Sequence, residues 1–478
     1  MELILLIRNL PIDLLYIVSG YDHRVVLLLG EESALIKCDW FLLIKLNFSL
    51  IYERKISTQK EIMKVYFDNC SNEKPRIVCG TSNTILRLSD GRLMGCGNNC
   101  YGQLGLGDNK CRNLFFEISG IPKNIVEVIC CTLSTIIRLG NGTLMTCGYN
   151  LFGQLGLGDN ESRYKFTKIA GIPKDIVEII CGDHHVIIRL ACGTLMGCGL
   201  NNYGQLGVGD YENRNEFCVI PNIPKNIEEV LCNNYCTIIR LACGTLMACG
   251  YNGCGRLGFG NDYNINRFKE IPGVPKNIAR VVCGLNHTVI LLRDGTLMSC
   301  GSNYYGQLGL GDNVNRGSFQ KINGIPENIV DVVGNFYHVV IRLTDGTLMS
   351  CGSNERRQLG LGDCLNRNTF FEIRGVPKNV AKVILDVLFT VVILTDGTLI
   401  DLANCESKRR PLSALGEIEM SEPKNIVEVI GADDYIIIRL RDGTIMSCGS
   451  NSYGELGLGD EKYRNSFEKI NGIPKIKS

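Results

Sequence analysis

Twenty-four cysteines, five histidines and a recurring aspartate–arginine spacing are the groups in this 478-residue chain that could ligate a metal, attack a substrate or hold an anion. Thiolates and imidazoles bind zinc when three or four of them converge within a few ångströms. No Cys-x-x-Cys pair occurs. Instead Cys96, Cys147, Cys198, Cys249, Cys300, Cys351 and Cys448 fall in one register, and Cys79, Cys130, Cys181, Cys232 and Cys283 in another. These read as small buried strand residues, since equivalent positions of neighbouring repeats stand too far apart to share a metal. His185, His287 and His338 occupy a third register, where other repeats place Asn83, Ser134, Cys236, Phe389 and Tyr435. A catalytic histidine needs a partner, and no serine or carboxylate keeps a fixed spacing to one of the three alone. A structural role is therefore expected. No catalytic, cofactor-binding or metal-binding residue is assigned, and no cofactor is expected.

Two charged registers remain. Asp108, Asp159, Asp210, Asp312, Asp363 and Asp460 are each followed four residues later by Arg112, Arg163, Arg214, Arg316, Arg367 and Arg464. In one repeat the aspartate becomes Asn261 and the arginine Ile265, so the two types are kept or lost together. That covariation within one chain predicts a contact that pins a loop, with a small stabilisation of about 0.5 kcal/mol if the pair is exposed. Arg87, Arg138, Arg189, Arg240, Arg342 and Arg439 interrupt apolar runs such as Ile-Ile-Arg-Leu. Two readings stay open for them: a ring that binds an anion or acidic partner at a channel mouth, or pairing with a neighbouring unit's carboxylate or carbonyl.

The elements that position these residues repeat at a fixed period. A hairpin glycine recurs at Gly91, Gly142, Gly193, Gly244, Gly295, Gly346, Gly397 and Gly443, with six intervals of 51 residues and a last one of 46. One unit holds four short apolar runs, for example Val177–Cys181, Val186–Leu190, Thr194–Cys198 and Phe217–Ile220. Each run is rich in Ile, Val, Leu or Thr and bounded by Gly, Asn, Asp or Pro, which is the pattern of strands. Asp-Gly, Asn141-Gly142 or Cys-Gly joins the second run to the third and predicts a two-residue type I′ hairpin. Four-stranded units of this size bury both faces only by stacking, so the arithmetic points to an all-β propeller. The 54 glycines exclude a helical protein, and 13 prolines with 45% hydrophobic residues exclude general disorder. A net charge of +1 gives no global reason to expect nucleic acid as a partner. No membrane span or signal peptide is read, and an intracellular location, cytoplasmic or nuclear, is expected.

The unit resembles the regulator of chromosome condensation repeat. The text that carries the resemblance is Val-Cys-Gly-x-x-His-Thr at 282–288 and Asp-Gly-Thr-Leu-Met-Ser-Cys-Gly-Ser-Asn-Tyr-Tyr-Gly-Gln-Leu-Gly-Leu-Gly-Asp at 294–312. The resemblance implies a propeller of seven four-stranded blades over residues 75–478, whereas counting hairpins gives eight. Cysteine stands where the family usually has an aromatic residue. The resemblance also implies guanine-nucleotide exchange on a small Ran-like GTPase. The uniform spacing leaves no inserted wedge for that activity, so a scaffold that binds a protein partner through its rim loops is the leading expectation.

Residues 1–74 form a cap, a worn repeat or a helical segment. Leu10–Ile17 with Ala34–Trp40 resembles an F-box, which implies a substrate adaptor that docks on the linker protein of a ubiquitin ligase. Both readings of this segment stay open. Finally, the last unit ends on Phe467–Ile470 and the first clear unit opens at Ile77 without such a run before it. The final strand is therefore expected to pair with the first blade, so that truncation after about Asp460 destabilises the whole domain.

Overall fold

In the computed structural model the described residues are 76–473, apart from 89, 386–389, 403–425 and 433, together with Asp39 and Trp40. Trp40 is helical and buried. The worn-repeat and F-box readings, and most of the shortened seventh unit, lie outside the described residues.

Eight antiparallel sheets are found among the described residues, each built from one stretch of chain in simple meander order. They form blades 1 to 8 of a propeller, at 76–118, 125–168, 176–219, 227–270, 278–321, 329–372, 380–401 and 426–469. Hairpin counting is thus upheld over the family expectation of seven. Blade 3 shows the plan, with strands Ile176–Cys181, His185–Leu190, Leu195–Gly199 and Arg214–Val219. Blade 7 has three described strands. First strands of adjacent blades lie against each other, so they are innermost and line the axis. Each apolar cluster joins two blades. Ile136 and Leu144 of blade 2, for instance, pack with Ile179, Val186 and Ile188 of blade 3. Burying a side chain of this kind contributes about 1.5–3 kcal/mol.

The hairpin chemistry differs from expectation. The Gly193 amide donates to the Leu190 carbonyl and the Leu190 amide to the Thr194 carbonyl, both at 2.9 Å. Three residues therefore lie in the loop. Only its glycine has positive φ, from +80° to +87° across the eight hairpins. A type I′ turn would need two such residues. The observed form is a type I turn followed by a left-handed glycine, which explains why Cys192 and Cys243 are tolerated beside Gly193 and Gly244.

Ring closure also differs. Strand Arg464–Lys469 pairs with Ile445–Gly449 of its own blade and not with blade 1. The seam closes by side-chain packing instead, with Ile77, Leu86 and Met94 against Tyr435, Ile437 and Leu456. The Tyr435 hydroxyl donates to the Asn83 carbonyl at 2.8 Å, and Thr84 Oγ1 donates to the Glu455 carbonyl at 3.0 Å. A seam of this kind needs no strand exchange, because blade 1 already owns its fourth strand, Arg112–Ile118.

Candidate functional site

The long loop after each third strand is a self-contained device that docks on the next blade. The buried Asn99 amide donates to the Asp108 carbonyl at 2.9 Å and accepts from the Leu104 amide at 2.9 Å. Gly107 then donates to the Tyr164 carbonyl of blade 2 at 2.7 Å. The Gln103 carbonyl accepts from Thr135 Oγ1 at 2.7 Å and from the Cys147 thiol at 3.5 Å. One cysteine register thus faces the preceding blade's loop.

The aspartates and arginines meet within each blade. Arg112 lies 2.7 Å from Asp108, and the other five pairs lie at 2.5–2.8 Å. The Val314 amide and Arg316 hold the Asp312 carboxyl below the usual carboxylate range. In blade 4 the loop closes without the pair, because Asn252 still donates to the Asn261 carbonyl at 2.8 Å. The asparagine therefore closes the loop, and the ion pair only supports it.

The strand arginines are spent on structure. Arg138 donates to the Ile176 carbonyl of the next blade and pairs with Glu127 of its own first strand at 2.8 Å. Arg189 does the same with the Ile227 carbonyl and Glu178. Arg87 donates to the Ile125 carbonyl, Arg342 to the Val380 carbonyl, and Arg240 and Arg439 pair with Glu229 and Glu428. The carboxylates come from the same blade, not from the neighbour. Where the first strand carries Arg280 or Lys382 instead, the facing residue is Leu291 or Ile393. Five of the six strand arginines face a first-strand carboxylate, and Arg87 faces Arg76, so the sequence holds the signal as charge complementarity in five blades.

The histidine register is buried between blades. His185 Nε2 lies 3.1 Å from Thr237 Oγ1, and His338 Nε2 lies 2.9 Å from Thr390 Oγ1. Burial lowers the pKa of His185 and His287 to about 3 and of His338 to about 4. The unfolded chain binds these protons near pH 6.5 and the folded chain refuses them, so stability falls as pH drops through 6.5. At pH 5.5 the loss relative to pH 7.5 is about 1.4 kcal/mol per histidine. The urea midpoint should accordingly fall over this interval, and a midpoint that stays level would contradict the buried neutral state.

At the long-loop end of the axis, a chamber of about 300 Å³ is lined by Cys79, Cys130, Cys232, Asp183 and the Cys131–Cys181 disulfide. Burial pushes the Cys79 and Cys130 thiols up to about 12. They are neutral thiols near pH 7, and poor nucleophiles. Among the described residues no three His, Cys, Asp or Glu side chains stand close enough to hold a metal ion. No described helix is long and apolar enough to cross a membrane.

What varies from blade to blade is the loop tip. Tyr263 of blade 4 is 75% exposed, Tyr304 of blade 5 is 67% exposed and Leu365 of blade 6 is 65% exposed. Val314 of blade 5 is exposed with them. These apolar tips stand on the long loops of three consecutive blades, and each loop is closed by its buried asparagine, Asn252, Asn303 or Asn354. A rigid frame with variable apolar tips is suited to holding a protein surface. The sequence points to the rim loops but not to these residues. The available signal was their divergence inside an otherwise constant loop.

The family model described as "Regulator of chromosome condensation (RCC1) repeat" matches residues 141–188 and 294–341, and a second model of that description matches 76–103, 278–307 and 329–358. The chain is 25% identical over 343 residues to the "X-linked retinitis pigmentosa GTPase regulator homolog" of Caenorhabditis elegans, covering 62% of this chain and 24% of that protein. It thus spans about a quarter of that relative's length. It is 28% identical over 309 residues to the "Ultraviolet-B receptor UVR8" of Arabidopsis thaliana, covering 62% of this chain and 69% of that protein. Among solved structures, Prp20p from Saccharomyces cerevisiae superposes with a TM-score of 0.52 at 19% identity, over 65% of this chain and 78% of that one, a likeness of fold.

Proposed function

We propose that this propeller, several of whose blades match the regulator of chromosome condensation repeat, acts as a non-enzymatic scaffold that captures a protein partner on the long-loop face of blades 4 to 6. The observation that carries this reading is the run of exposed apolar tips, Tyr263, Tyr304, Val314 and Leu365, on loops whose repeated residues are all engaged in folding. Exposed tyrosines supply contact area at low entropic cost, and a few such anchors carry most of an interface's energy.

The test is quantitative affinity capture with the full chain and with a Tyr263→Ser, Tyr304→Ser, Leu365→Ser variant. A partner retained by the parent and reduced at least about tenfold by the variant is expected, since each lost anchor is worth about 1–2 kcal/mol. The urea midpoint should not change, because all three side chains are exposed. Equal capture by both proteins would refute the assignment to this face. Nucleotide release from a Ran-like GTPase, and binding of residues 1–45 to a ubiquitin-ligase linker protein, are the assays that would turn the scaffold into an exchange factor or a ligase adaptor.

A further inference from the structure

Blade 4 departs from its neighbours at one buried point. Five other long loops place Gln103, Gln154, Gln205, Gln307 and Gln358 at the equivalent position, after a glycine in four and after Arg357 in the fifth. There the glutamine closes on its own loop, as when Gln205 Oε1 accepts from the Tyr203 amide at 3.0 Å. Blade 4 has Arg256 instead. Its backbone carbonyl is held on blade 5 by Thr288 Oγ1 at 2.7 Å and the Cys300 thiol at 3.4 Å. The side chain is 1% exposed, and neither Nη1 nor Nη2 has a hydrogen-bond partner among the described residues. The Tyr251 ring covers the guanidinium at 5.7 Å and packs with Tyr203 and Tyr235.

A second orphan, His287 of blade 5, lies near Arg256 but faces blade 6. His185 and His338 each find a threonine hydroxyl on the following blade, but the equivalent residue for His287 is Val339, and both ring nitrogens of His287 lack a partner among the described residues. An arginine is always charged, and an uncompensated buried charge is strongly destabilising. The charge of Arg256 reaches Asp183, but no ion pair joins them, and Asp183 Oδ1 accepts from Thr132 Oγ1 at 3.0 Å. Tyrosine stacking offsets only part of the desolvation. Two parallel unpaired nitrogens on a planar fork match the two oxygens of a carboxylate.

We propose that the seam between blades 4 and 5 is a binding site for one carboxylate, held by Nη1 and Nη2 of Arg256 beneath the Tyr251 ring. The carboxylate is either a free small acid or an acidic side chain presented by a partner at the long-loop face. This site is independent of the apolar tips and can fail without them.

The experiment follows thermal unfolding and intrinsic tyrosine fluorescence of the full chain at constant ionic strength. The probes are acetate, chloride, and a blocked peptide with one glutamate beside its glutamine counterpart. The expected result is a Tm that climbs with the logarithm of acetate or of the glutamate peptide, and not with chloride or the glutamine peptide. Acetate alone would identify a free acid, and the peptide alone an acidic side chain. Arg256→Gln restores the residue of the other loops and should fold, with both responses flat. A parent chain that answers to no carboxylate probe would overturn the site. So would an Arg256→Gln variant that responds like the parent. Equal loss of Tm in Arg256→Gln and Asp183→Asn, without any carboxylate response, would make Asp183 the partner of Arg256 and also overturn it.

Discussion

Gly306→Ala is expected to destabilise the protein by about 2–5 kcal/mol. Gly306 has φ +80°, and a Cβ built there lies 2.4 Å from Asn368 Cα and 2.6 Å from the Arg367 carbonyl. Both obstacles are backbone of the outer strand of blade 6, so no side chain can swing away to relieve them. Blade 6 would have to shift from the loop of blade 5 and open the packing between them. Gly324→Ala separates the two contributions. Its φ is +75°, but nothing lies within 4 Å of a Cβ there. Only the left-handed backbone penalty of about 1–2 kcal/mol applies. Urea denaturation of the two variants should show the first as clearly worse. Equal losses would mean that close approach between blades is not what the loop glycines serve.

Deleting residues 426–478 should abolish cooperative unfolding. The seam cluster of Ile77, Leu86, Met94, Tyr435 and Ile437 spans the first and last blades, and removal of blade 8 exposes one half of it. The polar latch from Tyr435 and Glu455 to blade 1 is lost as well. On the other side Val391 of blade 7 loses Val429, Ile436 and Ile438. Truncation after Asp460 is a milder change, because the loop at 451–459 keeps its contacts with Asn113 and Phe115. That cut removes the outer strand of blade 8 with Ile470 and Ile473 at the edge of the seam cluster, and leaves Tyr435, Ile437 and Leu456 in place. Calorimetry should therefore show a broad, low-enthalpy transition for the blade deletion and a single sharper one, lowered in temperature, for the truncation. The reverse order would restore closure by the final strand.

The difference between those two cuts marks where the sequence stopped being informative. The amino-acid sequence carries the four strands, the hairpin glycines and the count of eight because each depends on residues a few positions apart. A short apolar run, a turn residue and a constant period are local properties, and repetition averages out exceptions. Covariation between repeats exposed the aspartate–arginine contact, because both partners lie four residues apart in one loop.

Contacts between blades were legible only in part. The arginines reach carbonyls 38 residues onward, and Tyr435 meets Asn83 across 352 residues. No spacing pattern reports such a pair. Turn type escaped because Asp-Gly serves both a two-residue and a three-residue loop, and the choice is made where the strands leave the hairpin. Burial of Arg256 escaped for a related reason: a substitution in one repeat looks like variation until the neighbouring blade closes over it.

The chain by itself determined a stack of eight related sheets, since strand hydrogen bonding and short apolar runs act within each unit. Only the tertiary structure decided how the ring shuts, which tips stand together and which charge is left without a partner. Those outcomes depend on surfaces brought together by closure, where the energy lies in contacts between distant segments.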